Sequence, residues 1–207
     1  MKMKINFKPG KGNKVHIYVD GDYRMTADCD FVYTCGFADN SEISDEELTF
    51  LTDEVNSRRA FLKACDLLSM RDHSRHELLT KLRQKGYGEG AEEAVEKLTE
   101  AGYVDDERFA RALAAELVRV KHYARRRIVT ELLKKGIEQS LAREIADETE
   151  IGEDEVVMAL RRKYGRCLDT EKGVRRAING LAAMGYSYSQ IRQAIETVKE
   201  ETETDYE

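Results

Sequence analysis

Proline is nearly absent from this chain of 207 residues, with Pro9 the single example, and tryptophan is missing altogether. After the first ten positions nothing of that kind interrupts a helix. The four cysteines, Cys29, Cys35, Cys65 and Cys167, form no C-x-x-C pair, and their scatter fits neither a zinc site nor a disulfide framework. Reduced thiols and a cytoplasmic location are expected. No apolar run approaches the ~20 residues that span a bilayer, so no membrane association is expected. The opening Met-Lys-Met-Lys-Ile-Asn has no apolar stretch of the kind a secretory signal needs.

Catalytic constellations are lacking too. There is no phosphate-binding glycine loop and no nucleophile elbow. His73 and His76 could share a helix face, but a metal site needs three or four ligands, and an exposed loop and first helical turn account for both. Asp20-Gly21-Asp22 opens like a calcium loop, yet Arg24 stands at its fifth position and no glutamate at its twelfth, which leaves a turn. Asp105-Asp106 directly precede an apolar helical run, where capping and the helix dipole explain them. No catalytic residue, metal or cofactor is expected.

What is present divides into two unlike parts. Residues 1–56 read as a small strand-and-turn module with a short helix. His16-Ile17-Tyr18-Val19 is β-prone, Asp20-Gly21-Asp22 is a hairpin signal, and Tyr23 to Ala27 returns antiparallel. Phe31 to Thr34 is a third short strand or a helical turn. Ser44, with Glu47 three positions on, is a capping box. So small a module has too little apolar surface for a core of its own and must pack on the rest of the chain.

From residue 57 the apolar period is helical, beginning with a stripe of Leu62, Cys65 and Leu68 beside Phe61 and Ala64. Landmarks then recur: Gly86, Gly136 and Gly185 lie 50 and 49 residues apart, and each follows a leucine (Leu82, Leu132, Leu181) by four positions. Nine positions after each glycine comes Val95, Ile145 or Ala194. A fixed period of this kind marks an internal repeat. The expected fold is therefore mostly α: three tandem three-helix repeats at 57–106, 107–152 and 153–199, followed by an acidic tail at 200–207. Units this small bury their leftover apolar faces by stacking, giving an elongated, curved array, a monomer suited to extended binding surfaces.

The charges are sorted along the chain. The net charge of −6 argues against coating nucleic acid through bulk charge. Yet Arg119 to Gly136 holds seven basic residues against one acid, and Arg161 to Arg176 another seven against two, with an acidic stretch between them. The candidate binding residues are Arg119, Lys121, Arg125, Arg126, Arg127, Lys134, Lys135, Arg161, Arg162, Lys163, Arg166, Arg175 and Arg176. One such run is commonly a solvated helix face. Two runs at matching places in neighbouring repeats would form a continuous basic stripe that orients a polyanion. Tyr123 and Tyr164 lie beside these runs, placed to stack on bases or to pack half-buried.

Gly102-Tyr103-Val104-Asp105-Asp106-Glu107-Arg108-Phe109-Ala110 resembles the junction motif of the RecX family. Leu67 to Arg71, Ser74 to Leu78, Lys85-Gly86-Tyr87 and Glu131 to Ile137 add to the resemblance, and Val15 to Asp22 is similar to the strand and turn that precede the repeats in longer members. It covers nearly the whole chain, most specifically residues 60–137. It implies three three-helix units, no cofactor, and a non-enzymatic regulator of recombination, DNA repair and the SOS response that restrains RecA, with the RecA filament and single-stranded DNA as partners. The residues alone leave open a second reading, a helical repeat protein that binds single-stranded nucleic acid without a filament partner.

Overall fold

The computed structural model describes residues 2–152 and 154–204. Four strands, β1 (Lys2–Pro9), β2 (Lys14–Val19), β3 (Asp22–Asp28) and β4 (Glu42–Ser44), form one antiparallel sheet in the order β3-β2-β1-β4. Asp20 and Gly21 both take positive φ, the two-residue turn whose twist matches a hairpin. Alternation along β2 buries Val15, Ile17 and Val19 and leaves His16 and Tyr18 half-buried on the other face. Strand β1 was not apparent as a separate element, although Met3, Ile5 and Phe7 alternate with polar residues and Ile5 is fully buried. Phe31 to Thr34 belongs to a helical turn, α1 (Cys29–Thr34).

Ser44 and Glu47 form the expected capping box at the start of α2 (Asp45–Met70). Here the structure departs from the expected boundary at residue 57: one 26-residue helix runs across it. The physical reason is simple, since neither proline nor glycine occurs between Asp45 and Met70. Leu51 and Val55 fill the sheet's core, and further along Ala64 and Leu67 enter the core of the first helical repeat. Every residue of the sheet's core, from Ile5 to Val55, lies within residues 1–56, so against expectation the module carries a core of its own, closed by the first turns of α2. Leu62 is a correction, for it faces solvent, and the buried line runs through Ala60, Ala64 and Leu67.

The helices α3 (Arg75–Gln84) and α4 (Ala91–Glu100) complete the first repeat. Next come α5 (Asp106–Lys121), α6 (Arg125–Lys134) and α7 (Gln139–Glu148), then α8 (Glu155–Tyr164), α9 (Glu171–Ala183) and α10 (Tyr188–Thr204). Between α8 and α9 the chain makes a single 3-10 turn, Gly165–Cys167. The matched leucines Leu82, Leu132 and Leu181 are all fully buried, as are Val95, Ile145 and Ala194 to within 2%. Each buried leucine contributes roughly 1.5–3 kcal/mol relative to exposure, so the repeated landmark is the repeated core.

The chain divides into two compact units, one of Met1–Asp72 with Leu78–Val104, the other of His73–Glu77 with Asp105–Glu207. The first holds the sheet core and the core of α2, α3 and α4. The second holds one core between α5, α6 and α7 and another between α8, α9 and α10, the latter taking in Ala124, Met184 and Tyr186. The expected tail begins inside α10, which continues to Thr204 because no breaker follows Val198, and Arg161 pairs with Glu201. Residues 205–207 of that tail lie outside the described residues. No helix among the described residues is long and apolar enough to cross a membrane.

Candidate basic interface

Helix ends account for most of the basic residues. Arg119 and Lys121 lie in the last turn of α5, Lys134 and Lys135 at the end of α6, and Arg161, Arg162 and Lys163 in the last turn of α8, where cations favour the negative end of the helix dipole. Arg125, Arg126 and Arg127 do the opposite. They occupy the first turn of α6, whose N-cap is Ala124, with no capping side chain and no acid nearby in that turn. For comparison, Thr170 caps α9 and Glu171 follows it, while Asp105 caps α5 by accepting from the Arg108 amide at 2.9 Å. Three arginines at a positive helix end oppose the dipole, and local helix energetics give no reason for them.

The three are not equivalent. Arg125 donates from Nε to the Ala146 carbonyl at 3.2 Å, satisfying one of the free carbonyls at the end of α7. Arg127 is half-buried, lies over the Tyr123 ring at 5.4 Å and pairs with Glu131 at 2.8 Å, while its Nε is buried without a hydrogen-bond partner among the described residues. The Arg126 side chain is exposed and has no partner among the described residues.

Contacts within the second unit draw α8 and the turn after α9 to this point. The Ala124 amide donates to the Met184 carbonyl at 3.0 Å, and Lys163 Nζ lies 3.4 Å from Met184 Sδ. Arg162 is 3.3 Å from His122 Nε2, just before α6. A Cβ added at Gly185 would fall 2.7 Å from the Arg127 amide, so only glycine, here with φ of +95°, allows this approach. The same joint occurs one repeat earlier: Ser74 Oγ donates to the Lys135 carbonyl at 2.5 Å, and a side chain at Gly136 would overlap His76. Gly136 and Gly185 thus seat their turns on the start of the preceding repeat's middle helix.

Lys135 belongs to that earlier joint, half-buried and 2.6 Å from Glu77. Lys134 pairs with Glu131 at 3.0 Å at the far end of α6 from the arginines. In α9, Arg175 pairs with Glu171 at 2.7 Å, while the side chains of Arg176, Arg166, Arg119 and Lys121 are exposed and unpaired among the described residues. Contacts therefore gather Arg125, Arg126, Arg127, Arg162 and Lys163 around residues 122–127.

Some residues of these joints stand elsewhere than the sequence suggested, and others were not singled out from it. His73, expected on an exposed loop, is only 3% exposed, because the segment before α3 is packed in and Glu77 lies 3.4 Å from its Nδ1; His76 is exposed. Asp106 accepts from the Arg75 amide at 2.7 Å, so it caps α3 rather than its own helix. His122 ends α5 in the left-handed conformation and sits 2.6 Å from Glu155. Tyr186 donates to the His122 carbonyl at 2.8 Å, and burial together with the Glu155 charge pushes its hydroxyl up to about 12. Tyr123 and Tyr164 are half-buried against the cores.

Comparison with known proteins places the helical repeats. Residues 60–98 match the model of the first RecX three-helix domain and residues 105–145 that of the second. The chain is 32% identical over 100 residues to the regulatory protein RecX of Caldanaerobacter subterraneus subsp. tengcongensis, covering 48% of this chain and 51% of that protein. It is 27% identical over 104 residues to the regulatory protein RecX of Clostridium beijerinckii, covering 50% and 49%. The chain thus spans about half the length of the curated relatives it matches. A crystal structure of regulatory protein RecX superposes with a TM-score of 0.65 at 18% identity, over 96% of this chain and 99% of that one. RecX from Lactobacillus salivarius gives 0.59 at 19% identity, over 70% and 97%. With two RecX three-helix domains in tandem and a fold shared with RecX crystal structures, this chain belongs to the RecX family of regulatory proteins.

Proposed function

We propose that this chain is a non-enzymatic, monomeric regulator of recombination and DNA repair in the cytoplasm, which binds the RecA–single-stranded DNA filament and restrains RecA. The observation that carries the reading is the uncapped start of α6. Arginines at that end oppose the helix dipole, and Arg126 has no partner within the described residues, so an external anion offsets what the helix loses. Arg162 and Lys163 widen the patch, and the exposed Arg119, Lys121, Arg166 and Arg176 are further candidate contacts. Lys135, tied to Glu77, supports the joint. Phosphates of single-stranded DNA and acidic groups of RecA are the anions the family assignment suggests.

The test is affinity for oligo-dT across salt, with and without RecA. Each cation neutralising a phosphate adds ~0.7 to the slope of log affinity against log salt, so about five contacts give a slope near −3.5 on the filament. Tight binding only when RecA is present supports the filament reading. Equal affinity for bare oligo-dT would replace it with that of a general single-stranded nucleic-acid-binding repeat protein.

A further inference from the structure

The first unit carries a second basic site, unrelated to α6. Strand β3 is an edge of the sheet, and consecutive residues from Tyr23 to Asp28 line a cleft of about 420 Å³ whose opposite wall is α2. A cleft that meets six consecutive residues of a strand meets its edge, where backbone amides and carbonyls are presented, rather than either face alone. The register of β2 on β3 jumps between Ile17, opposite Met25, and Tyr18, opposite Tyr23, leaving Arg24 as the extra residue of a bulge. Bulges re-aim side chains at sheet edges, and Arg24 lines this cleft. From α2 come Arg58 and Arg59, held at 5.8 Å over the rings of Phe31 and Tyr87 respectively.

The cleft keeps a net positive charge, three arginines against the Glu89 carboxylate once Lys14 and Asp28 are paired. Its two acids are already engaged, Asp28 with Lys14 at 2.8 Å and Glu89 with Asn56 at 2.6 Å. Arg24, Arg58 and Arg59 are exposed and have no ion-pair partner among the described residues. Guanidinium forks match carboxylates in two-point contact, and an open strand edge matches an extended backbone. Nucleic acid would use the charge but not the edge.

We propose that this cleft binds an acidic peptide segment in extended form, which adds to β3 as a further strand and places its carboxylates on Arg24, Arg58 and Arg59. The probe is a short fluorescein-labelled peptide alternating Glu and Val, followed by anisotropy with the full chain. The Glu peptide should bind at least about tenfold more tightly than its Gln counterpart. Proline at alternate positions should abolish binding by removing the donors a ladder needs. A variant with Arg24, Arg58 and Arg59 all changed to alanine should lose binding by about tenfold or more with its melting point and oligo-dT affinity unchanged. If that variant does not fold, the corresponding triple lysine variant carries the test and should bind several-fold more weakly. Undiminished peptide binding by either folded variant overturns the proposal. So does a loss of oligo-dT binding in place of peptide binding, which would make the cleft a nucleic-acid site.

Discussion

Arg126, Arg127 and Lys135 lie close together in sequence and do different things. Arg126 has nothing to hold within the described residues, so Arg126→Ala should leave thermal unfolding within ~0.5 kcal/mol of the parent. The same change should weaken filament binding and flatten its salt slope by ~0.7. An unchanged slope would make Arg126 a solvated side chain. Lys135→Ala should behave in reverse. It removes one partner of the Glu77 carboxylate, whose side chain is 13% exposed and which still has His73 at 3.4 Å, and should cost about 1 kcal/mol with little change in filament affinity. Chemical denaturation separates the two, and loss of affinity without loss of stability in Lys135→Ala would put that residue back in the binding surface. Charge clustering in the sequence found all these residues. It could not tell an ion pair 58 positions away from an open side chain, because that distinction exists only once the turn at Gly136 sits on α3.

At the scale of elements, the repeated leucines are the firmest part of the fold. Leu132→Ala should cost ~2–5 kcal/mol, since Leu132 is fully buried between α5, α6 and α7. A change under ~0.5 kcal/mol by denaturant titration would mean the inward face is misassigned. These positions were legible because a period near 50 and its glycine punctuation are local properties of the chain. The joint of His122, Glu155 and Tyr186 was not legible, for its members lie 33 and 64 positions apart. It has its own signature in pH. The Tyr186 hydroxyl is pushed up to about 12 in the folded chain against about 10 when unfolded. Its contribution is therefore complete below pH ~10 and lost as pH rises towards ~12, on the order of 2–3 kcal/mol. Tyr186→Phe should lose the hydrogen bond to His122 at neutral pH and, relative to the parent, show a shallower fall in stability over that alkaline window. Parallel curves for parent and variant between pH ~10 and ~12 would remove Tyr186 as the cause. Strand β1 and the continuous α2 show the same limit from the other side: local pattern marks where a helix starts, but which core each stretch of it fills depends on the sheet.

For the whole molecule, family membership and mostly helical architecture agree with the repeat read from sequence, and the acidic balance confines any polyanion to local patches. The regulatory reading rests on one of those patches, at the start of α6, acting on the RecA filament. The direct measurement is the single-stranded-DNA-dependent ATPase of RecA, with and without this chain, and with a variant carrying Arg126→Ala and Lys163→Ala. Both side chains are exposed, so the variant should stay folded. The account predicts that the parent lowers RecA ATPase and that the variant needs about tenfold more protein for the same effect, as the loss of two phosphate contacts implies. RecA ATPase unchanged by the parent, or lowered equally by the folded variant, would contradict it.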